Sequence, residues 1–189
     1  RLTGVKATVT AADTPNIRIG LYVKDETIFA YKKVRYIGEA IAAVAAIDED
    51  IAEEAVELIE VEYEELPALF DPLEAVSAGS PLIHEDIGGY LAVFDCVKYG
   101  NVCSHTTIEQ GNVKKGFDEA DFVFEDTFKT KTQHQCTLEP QPAIADVDAS
   151  GKITLWSAGM DPFTVRGYLA GCLEIPMSKI RLRTMHIGG

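Results

Sequence analysis

The chain has 189 residues, of which 47% are hydrophobic and 25% are charged, so its composition excludes a disordered protein and allows one large domain or two small ones. Its formal net charge is −13, and this excess of carboxylates excludes the clustered basic surface that nucleic acids and anionic membranes attract. We therefore expect neither nucleic acid nor a membrane among its partners.

The cysteines predict neither a zinc ribbon nor a disulfide framework. None forms a C-x-x-C pair, and the chain is too long and too apolar to depend on disulfides. A metal site could be formed by Cys96, Cys103 and His105, but their spacing fits no standard zinc pattern. We expect reduced, mostly buried thiols and a cytoplasmic location, since the first residues do not begin a signal peptide.

The first third of the chain predicts two strands. Residues 5–9 place Val5, Ala7 and Val9 on one face of the first strand, and turn residues follow it. The apolar run AIAAVAAI, residues 40–47, predicts a buried strand, because it is far shorter than the roughly 20 residues that span a bilayer.

A helix and a further strand are predicted directly after this run. Asp48 is the predicted N-cap, and acidic residues in the first turn suit the helix dipole. The apolar residues with helical spacing are Ile51, Ala55, Leu58 and Ile59. Residues 59–63 then alternate with glutamates, which predicts a strand with one solvated face and completes a strand–helix–strand α/β motif.

Turn-rich sequence separates the two halves of the chain. We assign residues 1–85 to a first domain, 86–108 to a connecting segment and 109–189 to a second domain. The elements predicted in the second domain are a helical turn over 114–120, a long strand over 122–134, a hairpin of 143–147 with 152–157, a helix over 162–175 that starts at Asp161 and Pro162, and a last strand over 179–187.

Local motifs reveal no complete catalytic constellation. The sequence contains no G-x-S-x-G elbow, no P-loop and no G-x-G-x-x-G, which disfavours a self-contained hydrolase. We interpret His134 as a hydrogen-bonded, partly buried side chain and His186 as a packing residue. Glu139 is a buried acid or, as we favour, a structural acceptor for a backbone N–H.

Five stretches, taken in order, resemble the xanthine dehydrogenase and aldehyde oxidase family of molybdenum hydroxylases. The segment from VRYIGEAIAAVAA to ELPALFDPLEA resembles that family's α/β hammerhead domain. GNVKKGFDEADFVFEDTF and HQCTLEPQPAIA are similar to two later family segments, the second being an H-x-x-x-L/M-E stretch. LWSAGMDPFTVRGYLAGCLEIPMSKIRL and HIGG resemble the region that leads into a glycine-rich cofactor loop. Each stretch alone is a weak signal, but their order covers nearly the whole chain.

The resemblance implies an α+β fold, with an α/β hammerhead domain followed by the beginning of a mixed α/β molybdopterin-binding domain. It implies a molybdopterin cofactor carrying molybdenum, often as a cytosine dinucleotide, with iron–sulfur clusters and FAD on partner domains or subunits. The implied function is part of the large subunit of an oligomeric oxidoreductase, a hydroxylase or dehydrogenase. Its substrate would be an aldehyde, an N-heterocycle or an aromatic thioester.

The resemblance places cofactor-binding residues at Met160, Gly188 and Gly189. A family glutamine that hydrogen-bonds an oxo ligand of molybdenum corresponds to Met160, counted back from Pro176, and methionine cannot donate that bond. The two glycines would bring backbone N–H groups close to the cofactor, because no side chain intervenes. The family's catalytic glutamate lies far downstream, so we assign no catalytic residue and no metal ligand.

A second class of function stays open. Met160 in place of glutamine also fits a non-catalytic interaction module that kept the fold and lost the cofactor. If these residues are part of a longer protein, we expect them to be inactive alone, to expose apolar surface where the remainder docks, and to self-associate.

Overall fold

The computed structural model describes residues 2–188 and has an α+β architecture of short helices and small sheets, as predicted. The helices are α1 (Glu49–Glu57), α2 (Pro72–Ala75), α3 (Val113–Asp118) and α4 (Pro162–Cys172). The strands are β1 (Val5–Thr10), β2 (Ala42–Ala46), β3 (Val97–Tyr99), β4 (Val102–His105), β5 (Ala143–Val147), β6 (Ile153–Ser157) and β7 (Ile180–Thr184). No helix within residues 2–188 is long and apolar enough to cross a membrane.

The first predicted unit forms an antiparallel strand pair and a helix. β1 pairs with β2, with Val9 opposite Ala43. The Asp48 side chain accepts a hydrogen bond from the Ile51 N–H at 3.0 Å, which confirms the predicted N-cap, and Ala55 of α1 is buried. The prediction that β2 is buried is wrong: its residues alternate between half-buried and exposed, because α1 packs beside it and the other face of the two-stranded sheet lies open.

Two predicted strands do not form within the described residues. Residues 59–63 and 122–134 keep their alternating patterns but contain no strand. Phe122, Phe124 and Phe128 are 80%, 87% and 89% exposed. A strand needs a neighbour for its backbone N–H and C=O groups, and neither segment pairs with another strand of residues 2–188. The alternating segments therefore remain without β-sheet hydrogen bonds to a neighbouring strand among residues 2–188.

The predicted connecting segment contributes structure of its own. It contains the β3–β4 hairpin, and its residues Ile87 and Tyr90 are buried against Val23. The Lys24 N–H donates to the Leu91 carbonyl at 2.8 Å beside this small core. The connecting segment thus packs on the first domain, while the boundaries of the three predicted regions stay predictions.

The second half of the chain forms a three-stranded mixed sheet. β5 and β6 are the predicted antiparallel hairpin, and α4 connects β6 to β7, which lies parallel to it. Asp161 caps α4 and Pro162 occupies its first turn, as predicted. The helix ends at Cys172, earlier than predicted, because Glu174 adopts a φ of 53° that α-helix does not allow.

Helix α4 also ties the two halves together. The Tyr168 hydroxyl donates a hydrogen bond of 2.6 Å to the Gly20 carbonyl, across 148 residues of sequence. Gly20 is buried and lies close to Val23 of the small core. The three-stranded sheet is therefore held against the first domain through α4.

The four cysteines are free thiols, but the prediction that most are buried is wrong. Cys103 and Cys136 are exposed, and Cys96 and Cys172 are half-buried. Burial raises the pKa of the Cys172 thiol above its ordinary value. Cys103 lies on the two-stranded β3–β4 sheet and Cys136 lies in a segment without helix or strand, so neither thiol is enclosed between packed layers.

His84 lies beside the small core and is expected to make the stability of the protein depend on pH. Its Nδ1 lies 3.3 Å from the Tyr90 hydroxyl oxygen, and the two rings meet edge to face. Burial, and then the Arg35 guanidinium, lower the pKa of His84 below its ordinary 6.5, although Asp25 and Glu39 oppose this. Since the unfolded chain then binds more protons, the free energy of unfolding falls as the pH drops below 6.5.

Unfolding measured between about pH 5 and 8 tests this dependence. His84→Gln should flatten the loss of stability at the acidic end of this range. The exposed His105 offers a control, and His105→Gln should leave the profile unchanged. If wild type and His84→Gln lost stability equally on acidification, the prediction would be wrong.

Candidate cofactor site at a strand edge

Three strand ends meet at one edge of the β5–β6–β7 sheet. The last residues of the parallel strands β6 and β7, Ser157 and Thr184, are paired. The first residue of the antiparallel strand β5, Ala143, also pairs with Ser157. The segments before β5, after β6 and after β7 therefore begin side by side. The carboxyl ends of parallel strands are a common place for ligand sites, because the loops converge there.

Glu139 and Gly188 come together at this edge, although 49 residues separate them. The Glu139 carboxylate oxygen Oε2 accepts a hydrogen bond from the Gly188 backbone N–H at 2.6 Å. A Cβ atom on Gly188 would lie only 2.9 Å from the Glu139 Cβ, so this contact requires glycine. The structure confirms that Glu139 accepts a backbone hydrogen bond, and it identifies the donor as one of the predicted cofactor-binding glycines.

Met160 follows β6 and therefore leaves the sheet at the same edge. Its side chain is 86% exposed. A thioether has no hydrogen-bond donor, so Met160 can offer a ligand only an apolar, polarisable contact. Gly189, the third predicted residue, lies outside the described residues.

The start of α4 lies next to Met160 and is already capped. The Asp161 carboxylate accepts a hydrogen bond from the Thr164 N–H at 3.1 Å. The hydrogen bond from the Thr164 hydroxyl, and then the one from its N–H, lower the pKa of Asp161. A carboxylate at this position occupies the place where a helix start would otherwise attract an anion.

The strand edge is exposed at Met160 and Gly188, so a cofactor could approach its backbone there. Gly188 has no side chain and Met160 is exposed, so the backbone at the ends of β6 and β7 is open to close approach. The Gly188 N–H, however, is bonded to Glu139 and is not free for a ligand. Gly188 therefore fits as a point of close backbone approach and Met160 as an apolar contact.

A separate groove of about 420 Å³ lies between α4 and β7. Lys152, Arg166 and Arg181 line it, which is a local concentration of positive charge in an acidic chain. The Arg166 guanidinium donates hydrogen bonds of 3.0 and 2.6 Å to the Met177 carbonyl, so this cation has a structural role. The groove reaches the strand edge at Thr184, but its lining does not include Glu139, Met160 or Gly188.

The histidines singled out in the sequence have other environments. His134 is hydrogen-bonded as predicted, since its Nδ1 accepts from the Cys136 N–H at 2.9 Å, but it is exposed and not partly buried. His186 was predicted to pack and is exposed, because β7 ends at Thr184 and the chain leaves the sheet before reaching it. Within residues 2–188, no group of three or more metal-ligating side chains comes together.

The partnership of Glu139 with Gly188 was not predicted from the sequence. A local signal was present in the segment Glu139–Pro140–Gln141–Pro142, because each proline restricts the residue before it. Such a segment has few accessible conformations and can hold a side chain in a defined place. The sequence could not show which amide donates to Glu139, because no short-range pattern relates positions 139 and 188.

Two family models match successive parts of the chain. The model described as the aldehyde oxidase and xanthine dehydrogenase a/b hammerhead domain matches residues 1–67. The model described as the molybdopterin cofactor-binding domain matches residues 96–189, which include Glu139, Met160 and both glycines. The two matches follow the order expected from the resemblance.

Curated relatives agree with these matches. The chain is 34% identical over its full length to a protein of Bacillus subtilis (strain 168) named as a probable component of xanthine dehydrogenase, of which it covers 24%. It is also 34% identical, over 91% of its length, to the nicotinate dehydrogenase large molybdopterin subunit of Eubacterium barkeri, of which it covers 37%. The chain thus spans between about a quarter and two fifths of the length of these relatives.

Solved structures show the same fold. Quinoline 2-oxidoreductase from Pseudomonas putida 86 superimposes with a TM-score of 0.79 at 28% identity, over 100% of this chain and 24% of that one. Reconstituted CO dehydrogenase from Oligotropha carboxidovorans gives a TM-score of 0.78 at 30% identity, again over 100% of this chain and 24% of the other. The chain therefore belongs to the xanthine dehydrogenase and aldehyde oxidase family of molybdenum hydroxylases, in which it corresponds to a part of the large subunit that matches the hammerhead and molybdopterin-binding models.

Proposed function

We propose that the chain works as part of the large subunit of a molybdopterin-dependent oxidoreductase. The observation that carries this proposal is the convergence of Glu139, Met160 and Gly188 at one strand edge, inside the region matched by the molybdopterin-binding model. When bound there, the molybdenum cofactor would supply the oxidation–reduction chemistry. This chain would contribute the close backbone approach at Gly188 and the apolar contact of Met160.

The substrate class we favour is an N-heterocycle. Relatives named for xanthine and nicotinate, and a solved structure named for quinoline, support it, since each of these compounds is a nitrogen heterocycle. An aldehyde or an aromatic thioester is the alternative within the same reaction class. No residue of this chain is proposed as the catalytic base.

We further propose that electrons leave through iron–sulfur and flavin groups on partner domains or subunits. Relatives named as subunits of dehydrogenases support a multi-subunit enzyme. A cytosine dinucleotide form of the cofactor, an oligomeric complete enzyme and a cytoplasmic location belong to the same proposal.

The chain alone should be inactive and prone to self-association. Among residues 2–188, five apolar residues are buried, namely Val23, Ala55, Ile87, Tyr90 and Ile180. Phe70 and Ile108 are each 92% exposed. The three phenylalanines of residues 122–128 are exposed to a similar degree. This much exposed apolar surface supports a role in which other parts of the enzyme cover it.

The direct test is to express the complete gene and purify its product. Molybdenum content is measured by mass spectrometry, and dye-linked oxidation is assayed with purines, nicotinate, quinoline, aldehydes and an aromatic thioester. We expect bound molybdenum and oxidation of at least one heterocycle. A complete protein that never carries molybdenum would overturn the proposal.

A non-catalytic interaction module is the second candidate. Met160 favours it, because the side chain at this position cannot donate a hydrogen bond. A complete protein that folds, binds partner subunits and lacks molybdenum would support the module over the enzyme.

Met160→Gln tests the proposed contact with the cofactor. The glutamine amide would add a hydrogen-bond donor beside the proposed cofactor. One hydrogen bond that forms as charge develops on the cofactor during the reaction is worth about 1 kcal/mol, so we expect kcat to rise roughly fivefold. Because Met160 is 86% exposed, stability and molybdenum content should stay unchanged. Met177→Gln is the matched control, since Met177 is also exposed but lies in a short 3-10 helix after α4. Equal kcat values for both variants and wild type would contradict a contact at Met160.

A further inference from the structure

The Glu139–Gly188 bond joins two loops that meet the sheet at the same edge. Its length of 2.6 Å and its carboxylate acceptor place it among the stronger kinds of hydrogen bond. Glu139 itself is half-buried, although most residues around it are exposed. The bond is therefore a defined anchor within an otherwise open part of the chain.

The segment around Glu139 is restricted in a way that keeps this anchor in place. Pro140 limits Glu139 to extended backbone conformations. Cys136 and Gln141 adopt left-handed φ values of 52° and 55°, so the chain turns on either side of Glu139. The His134 ring supports the first of these turns by accepting the Cys136 N–H at 2.9 Å.

The anchor takes over where the strand ladder stops. The Met185 N–H donates to the Ser157 carbonyl at 3.0 Å, which is the last bond between this segment and β6 among the described residues. Three residues later the Gly188 N–H is held by Glu139. Without the carboxylate, the chain after Met185 would lose its hydrogen bond to the rest of this edge.

We propose that Glu139 is a positioning residue, which holds the Gly188 backbone at the strand edge and so fixes the position of Gly188 for cofactor binding. The proposal rests on the proposed molybdopterin site. Glu139 acts through Gly188 and is not assigned any contact with the cofactor or substrate. The contact itself does not depend on a bound cofactor.

The experiment compares Glu139→Ala, Glu139→Gln and wild type in the complete enzyme. Hydrogen exchange at residues 185–188 is followed by mass spectrometry at short labelling times, and molybdenum per protein, kcat and KM are measured in parallel. Losing a bond to a charged acceptor should speed exchange of the Gly188 amide roughly tenfold or more in Glu139→Ala. We expect molybdenum content to fall at least threefold in the same variant.

Glu139→Gln provides the rescue. The glutamine side chain has nearly the same shape and keeps a carbonyl oxygen that accepts a hydrogen bond. It should restore most of the molybdenum and at least half of the lost protection from exchange. Glu125→Ala, in the same open segment, is the control and should match wild type in both measurements.

The outcomes separate this inference from the proposed function. A wild-type enzyme without molybdenum overturns the proposed function and, with it, the role of Glu139 toward the cofactor. A loaded wild-type enzyme whose Glu139→Ala variant keeps its molybdenum and its exchange rate overturns the positioning role alone. If Glu139→Ala fails to fold, Glu139→Gln still decides the question. A folded Glu139→Gln variant that loses its molybdenum as completely as Glu139→Ala would contradict positioning by hydrogen bonding, because glutamine can still accept the bond.

Discussion

Replacing Gly20 with alanine is expected to lower the free energy of unfolding by about 3 kcal/mol, from left-handed backbone strain and overpacking together. Gly20 has a φ of +152°, and a Cβ atom there would clash with the Val23 carbonyl oxygen. Because the obstructing atom belongs to the backbone, no side-chain rotation relieves the clash. The backbone between Gly20 and Val23 would have to move, which disturbs the small core and the bond from Tyr168.

Thermal or denaturant unfolding of the purified protein measures this loss. Gly38→Ala is the matched control, since Gly38 also has a positive φ, of +93°, but a new methyl group would meet open space. It should cost about 1 kcal/mol from backbone strain alone. Tyr168→Phe removes only the hydrogen bond to Gly20 and should also cost about 1 kcal/mol. Equal effects of Gly20→Ala and Gly38→Ala would show that the close contact has no energetic weight.

Ile180→Ala is expected to destabilise the protein by about 3 kcal/mol, because it leaves a cavity where a large apolar side chain was buried. Ile180 is 2% exposed, the lowest value among the buried apolar residues of the described chain. It begins β7 opposite Ile153 of β6, directly after the short 3-10 helix that follows α4. The loss should therefore loosen the parallel β6–β7 pairing that brings Met160 and Gly188 to one edge.

The same unfolding experiment can be read beside a second isoleucine of this sheet. Ile144 on β5 is 67% exposed, so Ile144→Ala should cost less than about 1 kcal/mol. In the complete enzyme, Ile180→Ala should also reduce molybdenum content, whereas Ile144→Ala should not. A variant Ile180→Ala as stable as Ile144→Ala would show that the sheet does not depend on this side chain.

The two positions share a physical feature that sequence patterns do not display. Gly20 matters because of an oxygen three residues later and a hydroxyl 148 residues away. Ile180 matters because it lies where a strand, a helix end and a neighbouring strand meet. Both are consequences of packing, and packing brings together residues that are distant in the chain.

Local elements were predicted well where short-range bonds decide them. The caps at Asp48 and Asp161, the β5–β6 hairpin and the short helix after Asn112 all depend on contacts within a few residues, and all are present. The strands predicted over residues 59–63 and 122–134 are absent within the described residues, because an alternating pattern shows which faces are apolar but cannot supply a pairing partner.

Five weak motifs in the family's order were enough to predict the family, which the family models confirm. The sequence also favoured Glu139 as an acceptor of a backbone hydrogen bond over a buried acid, and the structure confirms this. The amide that Glu139 holds, and the shared edge of β5, β6 and β7, could be read from the folded structure but not from sequence patterns. The difference lies in how far apart in the sequence the interacting residues are. Propensities, caps and turns act over a few residues, whereas the Glu139–Gly188 contact joins residues 49 positions apart and exists only after the strands beside them have paired.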